Sequence, residues 1–218
     1  MSAPSRLTPV LLTLTAVTGL VDAVSYLELG KVFTANMTGN VVFLGFALAG
    51  TQGLSVARSL LALAAFAAGA AAGGLLVRRL ASASERRLTA TAFGAEAALL
   101  AAAAGAAATG TGPAAVNAVI VLTGLAMGLR NATVRKLAVP DLTTTVLTLT
   151  ITGLAADSPL GGGDGAGWQR RAGAVLAMLS GAALGAWLLR FSMALPLLVC
   201  AGLSGAMAAL CATRRSAG

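Results

Sequence analysis

The chain has 218 residues, of which 57% are hydrophobic and 10% are charged, and its formal net charge is +8. A soluble domain carries about 25% charged residues, so this composition excludes an ordinary water-soluble globule and indicates an integral membrane protein. The basic residues stand at the ends of apolar runs and form no stripe with interleaved aromatics, so we expect no nucleic-acid partner.

The content of histidine and cysteine narrows the chemistry further. There is no histidine, which is the commonest general base and metal ligand, and there are two cysteines, Cys200 and Cys211, in the last apolar run. The sequence also lacks the GxxxxGK pattern of a phosphate-binding loop. We therefore predict no metal, no cofactor and no catalytic residues, and a protein that is not an enzyme.

Six apolar runs approach the length of about 20 residues that a spanning helix needs. In chain order the predicted spans are Leu7–Leu29, Ser59–Val77, Thr89–Thr109, Ala114–Val134, Ala172–Leu189 and Phe191–Cys211. The first run could pass for a signal peptide. It continues without a clear cleavage site, so we interpret it as a retained helix.

Two shorter segments are polar where they begin. They are Asn36–Gly50, inside the context KVFTANMTGN, and Asp141–Ala155, inside the context KLAVPDLTTT. Neither is long enough to cross a membrane comfortably, and we expect both to be re-entrant or broken helices.

The two short segments occupy equivalent places in a predicted internal duplication. Thr18, Gly19, Leu20, Lys31, Thr38, Val41 and Leu44 align without a gap with Thr123, Gly124, Leu125, Lys136, Thr143, Val146 and Leu149. A second block aligns Arg58, Gly69, Gly73 and Arg78 with Arg170, Gly181, Gly185 and Arg190. The glycine pairs Gly69/Gly73 and Gly181/Gly185 are expected at helix contacts.

The predicted fold is therefore an all-α integral membrane protein. It has six transmembrane helices and two short re-entrant or broken helices, arranged as two inverted repeats, about 7–109 and 114–212, within a single transmembrane domain over 1–218. If the short segments do not cross, nearly all basic side chains fall on one side, and only Lys31, Arg58 and Arg190 fall on the other. The positive-inside rule then predicts a multi-pass protein with both termini in the cytoplasm.

Non-helical backbone at membrane depth must be buried in protein or line a cavity. We expect Asn36 and Asp141 to cap two half-helices whose N-terminal ends face each other, as in many transporters. The predicted substrate-binding residues are Asn36, Thr38, Asn40, Asp141, Thr143, Thr145 and Asp22. The alternative is that both stretches are interfacial loops whose Asn and Asp only cap helices.

Carboxylates inside the predicted spans form a second group of candidates. A charge there costs at least about 2.5–3.5 kcal/mol, so Asp22 and Glu96 should be paired, protonated or functional. Glu96 is expected to face the bundle interior. Arg130 is a candidate partner for Asp22, and all three residues are candidates for proton coupling or an ion pair.

The stretch TGLVDAVSYLELGKVFTANMTGNVVFLG resembles the opening of the YoaK family of bacterial inner-membrane proteins. The resemblance rests on Thr18, Gly19, Asp22, Ala23 and Ser25, followed by Phe33 and Ala35 to Asn40. It implies a polytopic protein of the bacterial cytoplasmic membrane and supplies no catalytic residues.

The function predicted from these patterns is a small-solute transporter or channel. A small anion is the candidate substrate, and coupling to protons is the candidate energy source. The alternatives are a structural or assembly protein of the membrane that does not transport and, less favoured, a membrane enzyme. The expected partners are the lipid bilayer and a small-molecule substrate. Whether the chain forms a homo-oligomer is left open.

Overall fold

The computed structural model describes residues 4–137 and 147–213, and every regular element in those ranges is helical. The α-helices are α1 (Pro4–Glu28), α2 (Met37–Leu48), α3 (Val56–Arg79), α4 (Glu85–Ala108), α5 (Pro113–Leu137), α6 (Leu147–Ala156), α7 (Trp168–Leu188) and α8 (Ala194–Thr213). Six of them, all except α2 and α6, are long and apolar enough to cross a membrane. The predicted all-α membrane fold with six spans and two short helices is confirmed.

The helices cross where glycine lets two backbones touch. On α3, a Cβ added at Gly69 would overlap the carbonyl oxygen of Leu125 on α5, and one at Gly73 would lie 2.7 Å from that of Leu129. Gly181 and Gly185 of α7 meet α1 in the same way, at Ala16 and Leu20. The predicted contact role of these small residues is confirmed, and it reflects how helices associate in lipid, where close backbone packing replaces the hydrophobic effect.

The replacement Gly69→Ala is expected to destabilise the protein by about 1–3 kcal/mol, because the new methyl group must push α3 away from α5. Gly74→Ala on the same helix is the matched control, since a Cβ there meets nothing within 4 Å. The assay is thermal unfolding in detergent, followed by a thiol-reactive dye that reports exposure of the buried Cys200 and Cys211. Equal melting temperatures for the two variants would contradict this packing.

Contacts between the helices also fix their directions. Gly69 and Gly73 meet Leu125 and Leu129 in the same order, so α3 and α5 run parallel. The same reasoning makes α1 and α7 parallel. Arg58, at the start of α3, donates a hydrogen bond to the carbonyl of Leu29, just beyond the end of α1, at 3.4 Å. α1 and α3 therefore run in opposite directions, and so do α5 and α7.

These directions define two ends of the bundle. The arginine face is the end where α1 and α7 begin and α3 and α5 end, and the opposite face is the other end. The arginine face carries Arg78, Arg79, Arg86, Arg87, Arg135, Lys136, Arg170 and Arg171, whereas the opposite face carries Lys31, Arg58 and Arg190. Because α1 ends and α3 begins at the opposite face, α2 lies in an excursion that returns to its starting side. α5 also ends, and α7 begins, at the arginine face.

Buried apolar side chains form three clusters that are stacked between the two faces. The cluster at the arginine face joins the start of α1 to the ends of α5 and α8, and it includes Phe93 of α4. The cluster at the opposite face contains Leu29, Ile120 and Leu197. The middle cluster contains Val17 and Met127, and it also includes Ala35, which lies in the non-helical chain before α2. That chain therefore reaches the middle of the bundle.

The helix pairs that pack together follow the predicted duplication. α1 packs on α7 as α5 packs on α3, α4 packs on α5 as α8 packs on α1, and α2 packs on α3 as α6 packs on α7. The remaining large contact joins α4 to α8, which are each other's counterparts in the predicted duplication. Two inverted copies of a four-helix unit would give this pattern, although the duplication itself stays a prediction.

Candidate functional site

A buried ion pair between α4 and α5 lies near the middle of the spans. Arg130 and Glu96 have no exposed side-chain surface, and Nη1 of Arg130 lies 3.0 Å from Oε1 of Glu96. The expectation that Glu96 faces the bundle interior is confirmed. The ionic partner of Arg130 is thus Glu96, whereas the sequence interpretation had considered Asp22.

The ion pair is held by groups from α1 and α8. Nη1 of Arg130 also donates to the carbonyl of Leu14 at 3.0 Å, and Nη2 donates to the hydroxyl of Thr18. Ser204 on α8 donates to Oε1 of Glu96 at 3.1 Å. Four helices therefore meet at one charged contact. Sequence reasoning missed Ser204, because a serine in an apolar helix usually bonds back to its own helix carbonyls.

Some polar atoms of this ion pair are buried without a partner. Oε2 of Glu96 and Nε of Arg130 accept or donate no hydrogen bond among the described residues. An unpaired buried polar atom costs about 1–3 kcal/mol, and more when it is charged. The ion pair can therefore bind a further polar group without losing an existing bond.

Asp22 lies on the side of the middle cluster toward the opposite face, where the non-helical chain meets α1. Its Oδ1 accepts a hydrogen bond from the backbone N–H of Ala35 at 3.2 Å, and its side chain is 6% exposed. The neighbouring Thr34 is fully buried, and its hydroxyl has no partner among the described residues. We name residues 32–36 the inserted segment. α1 continues for about 9 Å beyond Asp22, at about 1.5 Å per residue, so the inserted segment returns by that depth.

The reversal that makes this return possible is local. Gly30 and Lys31 both have positive φ angles, 88° and 58°, which end α1 and turn the chain back along it. Glycine adopts this conformation readily, whereas lysine does so at a cost of about 1–2 kcal/mol. The N–H of Lys31 donates to the carbonyl of Tyr26 at 3.2 Å, which closes the turn.

The motif ANMTGN secures the inserted segment to the start of α2. Asn40 is fully buried, its Oδ1 accepts from the N–H of Phe33 at 2.8 Å, and its Nδ2 donates to the carbonyl of Phe33. A Cβ at Gly39 would lie 2.8 Å from the ring of Phe33, so glycine leaves room for that ring. Phe33 stacks on Tyr26 and on Phe43, at centroid distances of 5.2 and 5.6 Å, and the latter two rings lie 6.1 Å apart. The side-chain amide of Asn40 thus satisfies both backbone groups of Phe33, as a neighbouring β-strand would.

Asn36 and Thr38 lie at the N-terminal end of α2, and both are exposed. The side chain of Asn36 accepts from the N–H of Gly39 at 3.4 Å, so its predicted role as an N-cap is confirmed. Asn36 directly follows Ala35 of the middle cluster, so an exposed polar helix end stands inside the length of α1 and not at its end. The predicted residues Asp141, Thr143 and Thr145 lie outside the described residues.

A separate cleft of about 460 Å³ lies between α6 and the start of α7, away from the ion pair. It is lined by Trp168 and by Arg171, which is paired with Asp157 at 2.7 Å. A second carboxylate, Asp164, also lines the cleft, and neither Asp22 nor Glu96 is among its lining residues.

Comparison with known proteins assigns the chain to a family. The model of a family described as a protein of unknown function (DUF1275) matches residues 10–210. The chain belongs to the DUF1275 family. It is 35% identical over 147 residues to the UPF0700 transmembrane protein YoaK of Bacillus subtilis (strain 168), a match that covers 67% of this chain and 64% of that relative. The chain therefore matches less than two thirds of the relative's length. No solved structure matches it.

The resemblance seen in the sequence is thereby confirmed, and this DUF1275 protein is a multi-pass membrane protein. The residues that carried the resemblance also build the site. Thr18 contacts Arg130, Asp22 contacts Ala35, and Asn40 contacts Phe33. Two of these residues, Asp22 and Asn40, hold the inserted segment against α1 and α2.

Proposed function

We propose that this DUF1275 protein moves a small polar solute across the bacterial cytoplasmic membrane. The observation that carries the proposal is the inserted segment, which brings non-helical backbone and the N-terminal end of α2 into the bundle beside Asp22, about 9 Å from the end of α1. In lipid, such backbone occurs only where it is buried in protein or lines a polar cavity. Broken helices that end at the midplane are how many transporters build a central site.

The proposed solute site lies between the exposed end of α2 and the buried ion pair. Asn36 and Thr38 present polar groups at a helix N-terminus, a position that favours an anionic group on the solute. Asp141, Thr143 and Thr145 are proposed to contribute from the second half. Asn40 is fully engaged with Phe33, so we assign it to support and not to solute contact.

Transport requires that the bundle open. Glu96 and Arg130 have no exposed surface, so a solute reaches their free atoms only when the surrounding helices separate. Oε2 of Glu96 and Nε of Arg130 are positioned to bind polar groups once this happens. We propose an alternating opening of α1 with α7 against α3 with α5, since these two parallel pairs are the tightest crossings.

Uptake into vesicles tests the proposal. Purified protein in liposomes should exchange radiolabelled small anions, amino acids or sugars from a panel against unlabelled solute inside, after a thermal-shift screen has selected stabilising compounds. Asn36→Ala with Thr38→Ala should lower the rate, while Val42→Ala on the exposed side of α2 should not. A protein that is stabilised by no solute and exchanges none would favour the alternative, a structural or assembly protein.

The proposed orientation places the arginine face in the cytoplasm. Cysteine introduced in the loop after α3, at Ser82, or in the loop before α7, at Gly162, should react with an impermeant maleimide only when cells are opened. Cysteine at Gln52, in the loop between α2 and α3, should react in intact cells. Labelling of position 162 from outside, with position 82 protected, would refute the prediction that the second short segment does not cross, and labelling of position 82 in intact cells would refute the orientation.

A further inference from the structure

The described interior of the bundle holds an unbalanced charge. Its buried charged side chains are Asp22, Glu96 and Arg130. Glu96 and Arg130 neutralise each other, whereas Asp22 takes part in no ion pair among the described residues. A lone buried carboxylate is costly, since ionised groups in apolar surroundings must be paired or neutralised. Asp22 therefore needs a positive charge that the described protein does not supply directly.

The atoms around Asp22 decide between a metal cation and a proton. The backbone N–H of Ala35 points at the carboxylate, and an N–H donor repels a metal ion. Among the buried side-chain oxygens of the described residues, the hydroxyl of Thr34, one residue before Ala35, lacks a partner. Hard cations need several oxygen ligands. A proton needs only one carboxylate oxygen.

We propose that Asp22 is a proton-binding site whose occupancy controls the docking of the inserted segment. When Asp22 carries a proton it is neutral, and it stays buried against the Ala35 N–H although this hydrogen bond is weaker than a charge-assisted one. Loss of the proton breaks the carboxyl O–H bond, passes the proton to water and leaves an unpaired charge in the interior, which is costly. The inserted segment then releases from α1, and the interior of the bundle becomes accessible from the opposite face.

The other ionisable groups around Asp22 do not substitute for it. α5 contributes Arg130, α4 contributes Glu96, α8 contributes the buried thiol of Cys200, and α1 itself carries Tyr26 and Glu28 nearer the opposite face. The basic groups of α3 and α7 stand at their ends. Glu96 has the cationic partner Arg130 and a hydrogen bond from Ser204, whereas Asp22 has no cationic partner among the described residues.

This inference deepens the proposed function, and it rests on that function for the role that proton binding would have in transport. Infrared difference spectra of the purified protein in nanodiscs, recorded between acidic and alkaline buffer, test proton binding directly. We expect a carboxylic-acid band on acidification that is lost in Asp22→Asn and kept in Glu96→Gln. A band that is insensitive to Asp22→Asn overturns the assignment. A band that decreases when sodium replaces choline at constant pH assigns the site to sodium instead.

The release of the inserted segment is tested by thiol labelling. In a chain with Cys200→Ala and Cys211→Ala, Val32→Cys places a probe at a side chain that is 1% exposed. At one alkaline pH, this chain should react with an impermeant maleimide about tenfold faster than the same chain with Asp22→Asn, because the neutral asparagine leaves no unpaired buried charge and keeps the inserted segment docked. Val42→Cys, on exposed α2, should label at the same rate in both backgrounds. Equal rates at position 32 would refute the release.

A second variant at position 22 covers the case in which Asp22→Asn is unstable. If Asp22→Asn does not fold, Asp22→Glu retains a titratable group, and its acid band should shift to the glutamate position. Neither assay depends on a transported solute. A proton band and faster labelling without uptake would leave this inference standing and remove the transport function, whereas uptake without them would do the reverse.

Discussion

Arg130→Met is expected to destabilise the folded protein by about 3–5 kcal/mol, the largest effect of any single change considered. The substitution keeps much of the side-chain volume but leaves Glu96 as an unpaired charge at the centre of the bundle. It also removes the hydrogen bonds to Leu14 and Thr18 that connect α5 to α1. Titration with sodium dodecyl sulfate in mixed micelles, followed by the fluorescence of Trp168 and Trp187, measures the loss.

The matched control is the double variant Arg130→Met with Glu96→Leu. Replacing both members of a buried ion pair by apolar groups of similar volume is often neutral or stabilising. The double variant should therefore recover most of the stability that Arg130→Met loses. If the two substitutions were instead additive, the ion pair would be incidental to the packing of α4 on α5.

Asn40→Leu is expected to cost about 2–4 kcal/mol although it removes no charge. Leucine has a similar volume, but it leaves both the N–H and the carbonyl of Phe33 without their partner in a buried setting. The inserted segment should then leave α1, so that a probe in Val32→Cys labels faster than in the parent chain. The measurements are the same detergent titration and the same maleimide reaction.

Asn36 provides the comparison within one motif. It is exposed and makes a single capping bond to Gly39, so Asn36→Ala should cost only about 1 kcal/mol. Two asparagines four positions apart would then differ severalfold in effect. Similar losses for the two variants would contradict the different environments assigned to them.

The spans and the short helices were predictable because each depends on local composition. A run of apolar residues must lie in lipid or in a core, and Asn36 before a helical pattern is a strong N-cap signal. The helix contacts at Gly69 and Gly181 were also predictable, since small residues at spacing of four mark close crossings. The structure moves the ends of most predicted spans by a few residues, where apolar composition gives little information.

The partners of polar residues were not predictable in the same way. Arg130 and Asp22 lie on helices that correspond in the predicted duplication, but the guanidinium reaches Glu96 because α5 packs directly on α4. Ser204 has no distinguishing neighbour in its apolar helix. The role of Asn40 depends on a chain reversal at Gly30 and Lys31, and no periodicity of the sequence encodes that reversal. Tertiary contacts decide these roles, and one sequence does not contain them explicitly.

The parallel pairing of α1 with α7 and of α3 with α5 has a consequence for biosynthesis. The ribosome delivers α1 to the membrane before α7 is synthesised, so the surface of α1 around Gly19 stays uncovered until α7 inserts. The carbonyl of Leu14 likewise lacks its hydrogen bond from Arg130 until α5 inserts. Neither half of the chain can complete its own packing, so a truncated product should be recognised by membrane proteases. Two fragments divided between Thr109 and Pro113 should accumulate only when they are made in the same cell.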